Sequence, residues 1–136
     1  MSDCLFCKII SGEIPAHKVF ENEKALAFLD INPINPGHVL IIPKKHYDTL
    51  LGADAESLRA LIELVPLIAK AVMQGLGYNG FNLGVNNGAV AGQVIPHLHF
   101  HIMPRREGDD HQLFRGAPYA AGEIEQVAEK IRSQLR

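Results

Sequence analysis

The sequence predicts an α+β fold, with an antiparallel sheet of about five strands, one long helix and a C-terminal helix. Short alternating or β-branched runs are separated by turn-rich segments, a long amphipathic stretch lies among them, and another ends the chain. Parallel βαβ units would need a helix in nearly every connection, so antiparallel pairing fits this order of elements better.

Length and composition favour a single domain over residues 1–136, with a core at 4–106 and a C-terminal extension with a helix at 107–136. Hydrophobic residues make up 47% and charged residues 21% of the chain, as in ordinary globular proteins. The formal net charge of −2 gives no basic field for nucleic acid. With no visible secretory signal and no membrane-length apolar run, we expect a cytoplasmic protein without membrane or nucleic-acid partners.

The first half of the chain predicts a helical turn followed by three strands. The turn opens at Cys4 and runs to about Ser11. Strands are predicted at 17–21, 25–30 and 38–43, the first two as a hairpin. The segment 32–37, rich in Asn and Pro, is predicted to form the turn before the third, β-branched strand.

One long helix is predicted from near Asp54 to the glycines at 75 and 77. Its apolar residues recur at helical spacing: Leu58, Leu61, Ile62, Val65, Ile68, Ala69, Val72 and Leu76. Pro66 lies inside this stretch, and a proline there removes a hydrogen bond at a cost of ~3 kcal/mol. A kink or break is therefore expected near residues 62–66.

The rest of the sheet is predicted from a strand at 81–86, a loop at 87–92 and a strand that carries three histidines. His97, His99 and His101 alternate with apolar residues. We therefore expect the three imidazoles on one face, roughly 6.6–6.8 Å apart in a row, and the apolar residues in the core. Residues 107–121 show no clear element.

Three interpretations of the histidine row compete. Histidines on a strand can be ordinary surface residues. A His-x-His pair can bind Zn²⁺, although Ile102 and Met103 stand where an Asp-His ligand pair would follow. A neutral imidazole can also attack phosphorus when its other nitrogen is held by a carbonyl. In that case His99 is the natural nucleophile, and His101 can donate to the phosphate or leaving group.

Longer blocks around these histidines resemble a known family. His97-Leu98-His99-Phe100-His101-Ile102-Met103 matches the histidine triad pattern, His-φ-His-φ-His-φ-φ with φ apolar. FLDINPINPGHVLIIPKKH and GVNNG…AGQ resemble two further blocks of the family, so the similarity covers nearly residues 4–106. The chain is identified as similar to bacterial-type histidine triad nucleotide hydrolases, which implies a HIT-like fold.

The resemblance implies hydrolysis of purine nucleotide derivatives at the α-phosphate, releasing a nucleoside monophosphate. The substrates would be dinucleoside polyphosphates or nucleoside phosphoramidates. His99 matches the histidine that forms a covalent nucleotidyl intermediate, His101 the one that contacts the phosphoryl oxygens, and His38 a fourth histidine near the triad. A homodimer with a continuous sheet and no organic cofactor are also implied. A nucleotide-binding or scaffold protein with vestigial activity and a nucleotidyltransferase are the alternatives.

The resemblance also implies a set of nucleotide-binding residues. Asp30 matches the carboxylate that accepts from both ribose hydroxyls, and Ile31 packs beside it. The other members are Phe6, Ile9, Ile14 and Phe28 in the purine slot and Asn86, Gly92, Gln93 and Val94 in the phosphate loop, together with His99 and His101. Without the resemblance, Asp30 would be typical of a turn cap and the phenylalanines of a core.

Cys4 and Cys7 form a CxxC motif with three interpretations. It could be a redox pair, two buried thiols or half of a Cys₂His₂ zinc site. A redox pair normally follows a strand, for which residue 4 leaves no room. The resemblance to zinc-binding members supports His46 and His97 as the other ligands of a structural zinc ion.

Two departures from the family pattern concern the leaving group. Val94 stands where a serine or threonine often contacts the phosphate. The Met-Pro-Arg sequence at 103–105 resembles branches of the family that favour dinucleoside polyphosphates. The pairs at 44–45 and 105–106 are basic and could reach a polyphosphate tail. His17 and His111 are predicted to be surface residues.

Overall fold

The computed structural model describes residues 3–109 and 116–136 of the chain. The helices are α1 (Leu5–Ser11), α2 (Ala55–Leu76) and α3 (Glu123–Leu135). The strands are β1 (Lys18–Glu21), β2 (Ala25–Leu29), β3 (Val39–Pro43), β4 (Gly80–Val85) and β5 (Phe100–Arg105). Short 3₁₀ turns lie at Leu50–Gly52 and Ala89–Ala91. The α+β prediction is confirmed, and His111 lies outside the described residues.

The five strands form one sheet in the order β1-β2-β3-β5-β4, and every neighbouring pair is antiparallel. The predicted hairpin joins β1 to β2. Its turn has no Asn-Gly pair, but the Asn22 side-chain oxygen accepts hydrogen bonds from the backbone N–H groups of Lys24 and Ala25, both at 2.9 Å. Asparagine thus stabilises the turn through its side chain rather than through a left-handed backbone.

Both faces of the sheet are covered, which explains why every residue of β2 and β3 is buried. One face packs on α2 and α3 and includes Ala27 and Ile41. The opposite face packs on α1 through a smaller apolar cluster: Phe6, Ile9, Leu26, Phe28, Leu40 and Ile42. Alternation along the two central strands sends successive side chains into these two cores.

Of the kink or break expected near residues 62–66, the break does not occur: helix α2 runs unbroken from Ala55 to Leu76 with Pro66 inside it. Pro66 is exposed and has no N–H group to donate to the Ile62 carbonyl four residues earlier. Ile62 is itself 48% exposed. Water can therefore replace the missing donor. Ile62 was also wrongly placed in the buried stripe, whereas Leu64 is 6% exposed and belongs to the core.

The histidine strand is shorter than predicted. Strand β5 begins at Phe100, so His97 and His99 lie in the irregular segment before it and only His101 is in the sheet. The three histidines have relative exposures of 0%, 6% and 7%, so they are not surface residues. The ring centroids of His99 and His101 are 4.8 Å apart, so the two imidazoles are direct neighbours.

The C-terminal helix α3 packs against α2 and β1 and adds Val127, Ala128 and Ile131 to the larger core. Its apolar residues therefore join the core built by the sheet, as the amphipathic pattern predicted. Among the described helices, none has the combination of length and apolar character that crossing a lipid bilayer requires.

Candidate functional site

A cavity of about 770 Å³ opens on the face of the sheet that α1 covers. One side of its lining is apolar and comes from α1, the segment after it and the central strands. The other side carries Asp30, His38, His99 and His101. An apolar slot beside a few convergent polar groups is the usual form of a small-molecule site.

The cavity brings together residues from distant parts of the chain that the sequence analysis had grouped. Those that line it are Phe6, Ile9, Ile14, Phe28, Asp30, Ile31, His38, Asn86, Gly92, Val94, His99 and His101. Gln93 is outside the lining. Its side chain accepts from the Gly88 N–H at 2.7 Å and donates to the Asp48 carbonyl at 2.6 Å, so it braces the loop.

The hydrogen bonds of His99 identify its tautomer. Its Nδ1 lies 2.7 Å from the backbone carbonyl oxygen of His97, which can only accept, so Nδ1 carries the hydrogen and donates. In the neutral ring Nε2 then carries the lone pair. Burial is the main cause that lowers the pKa of His99, which favours this neutral form. One ring nitrogen is therefore held by the backbone while the other carries a lone pair, which is what nucleophilic attack by an imidazole requires.

His38 and His101 form a short hydrogen-bonded relay. The Ile34 N–H donates to His38 Nδ1 at 3.2 Å, so His38 Nε2 carries the hydrogen and donates to His101 Nδ1 at 3.0 Å. His101 Nε2 is consequently protonated and can donate to an anion. Burial lowers the pKa of His38 to about 4 and that of His101 to about 3, which keeps both rings neutral near pH 7.

Asp30 lies at the edge of the cavity, and its side chain is 23% exposed. Its Oδ1 accepts from the Asn32 N–H at 2.8 Å, so the turn-cap interpretation holds. Its Oδ2 lies 3.7 Å from His38 Nε2. Burial raises the pKa of Asp30, and the Asn32 N–H opposes that shift.

Asp30, His38 and His101 are close enough together to suggest a cation site, but the hydrogen bonds argue against one. The Ile34 N–H occupies His38 Nδ1, so His38 Nε2 presents a hydrogen and not a lone pair to the trio. The three residues are better described as a polar edge of the cavity.

The loop between Asp30 and His38 is held from behind by residues that follow β5. The Asn35 amide donates to Asp109 Oδ2 at 3.1 Å, and Asp109 Oδ1 accepts from Arg105 at 2.8 Å. The Tyr119 hydroxyl accepts from the Gly37 N–H at 3.0 Å. These contacts fix the loop that places Ile34 N–H on the relay.

The basic pairs considered for a polyphosphate tail have other partners. Lys44 pairs with Glu21 at 2.7 Å, and Lys45 lies 3.5 Å from Asp54. Arg105 is 9% exposed and pairs with Asp109. Arg106 lies over the Tyr78 ring at 5.7 Å. Among the described residues, no lysine or arginine lines the cavity.

A second constellation consists of Cys4, Cys7, His46 and His97, whose ligand atoms all lie within 4.8 Å of one another. Nδ1 of His97 is 3.4 Å from Cys4 Sγ, 3.6 Å from Cys7 Sγ and 3.2 Å from Nδ1 of His46. Tetrahedral zinc with ordinary bond lengths places its ligand atoms about 3.3–3.8 Å apart. We call these four residues the Cys₂His₂ cluster.

The outer hydrogen bonds show that the Cys₂His₂ cluster fits a cation. His97 Nε2 donates to the Pro43 carbonyl at 2.9 Å, and His46 Nε2 donates to the Asp48 carboxylate at 2.8 Å. Both Nδ1 atoms therefore direct lone pairs into the cluster, 3.2 Å apart. A cation relieves that repulsion, and carbonyl or carboxylate partners on the far nitrogen are typical of metal-bound histidines. Burial raises the pKa of the Cys7 thiol to about 11 when no cation is present.

Several residues that line the cavity are not predicted from the sequence. His17 was predicted to be a surface residue but is half-buried and lines the cavity. Leu40 and Ile95 extend the apolar wall, and the alternation of β3 could have placed Leu40 on the same face as Phe28. Gly116 also lines the cavity, and a Cβ there would lie 1.9 Å from the Asn32 carbonyl oxygen. No local signal marks that approach.

Comparison with known proteins gives a consistent result. The family model of the HIT domain matches residues 11–108. Adenylylsulfatase HINT3 from Arabidopsis thaliana is 52% identical over 108 residues, covering 79% of this chain and 55% of that protein's length. Adenosine 5'-monophosphoramidase hnt1 from Schizosaccharomyces pombe is 38% identical over 136 residues and 98% of each chain.

Among solved structures, a zinc-bound histidine triad family protein from Mycobacterium smegmatis superposes with a TM-score of 0.88. The two sequences are 36% identical, and the alignment covers 98% of this chain and 94% of that one. The similarity extends through the whole sheet and all three helices, beyond the stretch that the family model matches.

Proposed function

The chain belongs to the HIT domain family, and from that premise we propose that it hydrolyses purine nucleotide derivatives at the α-phosphate through a nucleotidyl intermediate on His99. One observation carries the proposal: the His97 carbonyl holds the Nδ1 hydrogen of His99, which leaves the lone pair on Nε2 at the cavity. The relatives with hydrolase names support nucleotide hydrolysis in general.

The proposed reaction has two displacements. His99 Nε2 attacks the α-phosphorus, a P–N bond forms, and the bond to the leaving group breaks as that group takes a proton from solvent. His101 Nε2–H donates to a phosphoryl oxygen as negative charge accumulates there. Water then attacks the same phosphorus and releases a proton to solvent, the bond to His99 breaks, and the nucleoside monophosphate leaves with the imidazole neutral again.

The nucleoside is held by the rest of the cavity. The apolar wall formed by Phe6, Ile9, Ile14 and Phe28 suits a purine ring, and Asp30 is placed to accept from the ribose hydroxyls. The loop that carries Asn86, Gly92 and Val94 would contact the α-phosphate, with Val94 contributing only its backbone. Gln93 would act by shaping that loop.

We propose a nucleoside phosphoramidate rather than a dinucleoside polyphosphate as the substrate. The relative named adenosine 5'-monophosphoramidase hnt1, 38% identical over 98% of each chain, supports this choice. The described lining adds neutral histidines and one carboxylate. Arg105, part of the Met-Pro-Arg sequence behind the polyphosphate expectation, pairs with Asp109, and Arg106 lies over the Tyr78 ring. The proposed leaving group is therefore an amine.

Turnover of two substrates by the purified protein tests this proposal. An adenosine phosphoramidate that releases a fluorescent amine should be hydrolysed with a higher kcat/KM than a diadenosine polyphosphate. The reverse preference would overturn the leaving-group argument. Tight binding of AMP with no turnover of either substrate would favour the nucleotide-binding or scaffold alternative, and transfer to an added acceptor would favour a transferase.

We further propose that the Cys₂His₂ cluster holds a structural zinc ion through two thiolates and two Nδ1 atoms. All four positions would be filled by protein, so the ion would stabilise the N-terminal helix on the sheet without contacting substrate. Cys4 and Cys7 are not joined by a disulfide, in keeping with a reducing cytoplasm as the proposed location. One equivalent of zinc by mass spectrometry of the native protein is expected.

A homodimer is proposed through the edge strand β4. Strand β4 is at the edge of the sheet and has one neighbour. Phe81 and Leu83 share one face of this strand and are 39% and 44% exposed. Pairing of two β4 edges would give a continuous sheet and cover these side chains. Light scattering should give twice the monomer mass, and Leu83→Lys should reduce it.

We also propose that 4–106 and 107–136 form one domain, since α3 shares the larger core.

A further inference from the structure

Helix α1 belongs to the Cys₂His₂ cluster and to the wall of the cavity at the same time. Cys4 caps the helix and accepts from the Cys7 N–H at 3.3 Å, and both thiols point into the cluster. Leu5 and Phe6, the two residues between these cysteines, line the cavity. One turn of helix therefore carries the cluster on one side and the cavity wall on the other.

The Phe6 ring connects the two sites physically. It is 4% exposed and lies edge-on to His97 with centroids 5.9 Å apart and to His99 with centroids 5.1 Å apart. It also meets the Phe28 ring of the cavity at 5.4 Å. A displacement of α1 would thus change the packing around the proposed nucleophile and the purine slot together.

His97 provides a second connection through its own backbone. Its Nδ1 belongs to the Cys₂His₂ cluster, while its carbonyl oxygen accepts the hydrogen bond that sets the tautomer of His99. The His97 ring is fully buried and fixed at Nε2 by the Pro43 carbonyl. Because the ring is held at both nitrogens when a cation is present, the carbonyl group three bonds from the ring is restrained as well.

We propose that Phe6 and His97 are positioning residues that couple Zn²⁺ in the Cys₂His₂ cluster to nucleotide binding in the cavity. The inference rests on the proposed function. Without the ion, α1 is anchored by the apolar contacts of Phe6 and Ile9 and by a few weak thiol contacts. In the zinc-free protein, binding of a nucleotide must then also order the cavity wall formed by α1. That cost lowers the affinity of the zinc-free protein for the nucleotide.

Thermodynamic linkage allows the coupling to be measured independently from either site. If zinc raises the affinity for AMP by some factor, AMP must raise the affinity for zinc by the same factor. Coupling between protein sites is typically about 5–150-fold, and we expect at least about fivefold here. A zinc ion that stabilised the fold without reaching the cavity would leave both affinities independent of each other.

The experiment measures AMP dissociation constants by calorimetry on zinc-loaded and zinc-free protein, and zinc affinity by chelator competition with and without saturating AMP. Equal factors of at least about fivefold are expected from the two arms. Tight binding of both ligands with a factor of one would overturn the coupling while leaving the proposed function intact. Failure of the zinc-loaded protein to bind AMP would overturn both, and failure to bind zinc would overturn the coupling.

Zinc-free protein could prove unfolded, so a third arm uses only the loaded form. AMP should slow zinc transfer to excess chelator, and an unchanged rate would contradict the coupling. Phe6→Leu retains all four ligands and an apolar side chain, so it should bind zinc normally while the coupling factor falls, with the part carried by His97 remaining. Ile14→Val is the matched control in the cavity wall beyond the helix: it trims the wall, weakens AMP equally in both metal states and retains the coupling factor.

Discussion

The relay from Ile34 through His38 to His101 offers the strongest single perturbation of the proposed chemistry. His38 is 2% exposed, accepts from Ile34 at Nδ1 and donates to His101 at Nε2 over 3.0 Å. His38→Asn keeps an acceptor near the Nδ1 position but is too short to donate to His101. His38→Gln places an amide nitrogen near the Nε2 position and is the matched comparison.

The expected magnitude follows from the buried acceptor that His38→Asn leaves behind. An unpartnered buried polar group costs about 1–3 kcal/mol. Since about 1.4 kcal/mol changes a rate tenfold, kcat/KM for the adenosine phosphoramidate should fall about 5–150-fold. The loss should appear mainly in kcat, because the tautomer of His101 matters most when charge accumulates on the phosphoryl oxygens. His38→Gln should retain activity within about fivefold.

The assay is continuous release of the fluorescent amine, with AMP binding measured in parallel to show that the cavity is intact. Nitrogen-15 spectra of the imidazoles should show His101 protonated at Nε2 in the native protein and in His38→Gln. Wild-type kcat/KM in His38→Asn would refute the reasoning, because the protonation of His101 would then not depend on His38.

Three further perturbations test other parts of the site and fold. Asp30→Asn should weaken AMP binding about 10–100-fold while leaving 2′,3′-dideoxy-AMP nearly unaffected, because charged hydrogen bonds to the diol are lost; equal weakening of both ligands in calorimetry would contradict the assignment. Burial lowers the pKa of His38 from 6.5 to about 4 and that of His101 from 6.5 to about 3. Below pH 6.5 the unfolded chain therefore binds more protons than the folded one. The free energy of unfolding should consequently fall as the pH is lowered from 6.5 towards 4. The free energy of unfolding should change with pH by about 1.4 kcal/mol per pH unit for each histidine. Denaturant titrations should find this pH dependence flatter in the double variant His38→Asn/His101→Asn. The same pH dependence in that variant would contradict the linkage. Gly37→Ala builds a Cβ 2.5 Å from a leucine methyl of α2 at φ +98°, so it should lower the free energy of unfolding by about 2–4 kcal/mol. Gly52→Ala, where the space is open, should change it by under about 0.5 kcal/mol, and equal effects of the two substitutions would contradict the packing argument.

The fold could be predicted from the sequence because the spacing of its apolar residues is enough to locate most of the strands and helices. Alternating and β-branched runs locate the strands, the amphipathic stretches locate α2 and α3, and turns between strands require antiparallel pairing. Of the kink or break expected at Pro66, the break was wrong for a reason that local rules do not contain. The proline faces solvent, so the carbonyl it deprives of a partner can bond to water.

The site was only partly predictable, since its chemistry depends on contacts between distant segments. The histidine spacing indicated the nucleophile, but His97 and His99 precede β5, so the regular pleat of a strand does not place them. Tautomers depend on Ile34 and on the His97 carbonyl, which no motif specifies. Gly116 reaches the cavity only because the C-terminal segment returns to the loop after β2.

Identification of the covalent intermediate tests the central claim most directly. The protein is mixed with an adenosine phosphoramidate, quenched within milliseconds in alkali, which preserves phosphorus–nitrogen bonds to histidine, and digested for mass spectrometry. We predict adenylate on the peptide that contains His99, located by fragmentation at that imidazole and missing from His99→Ala. Adenylate on another side chain, or full turnover by His99→Ala, would contradict the account.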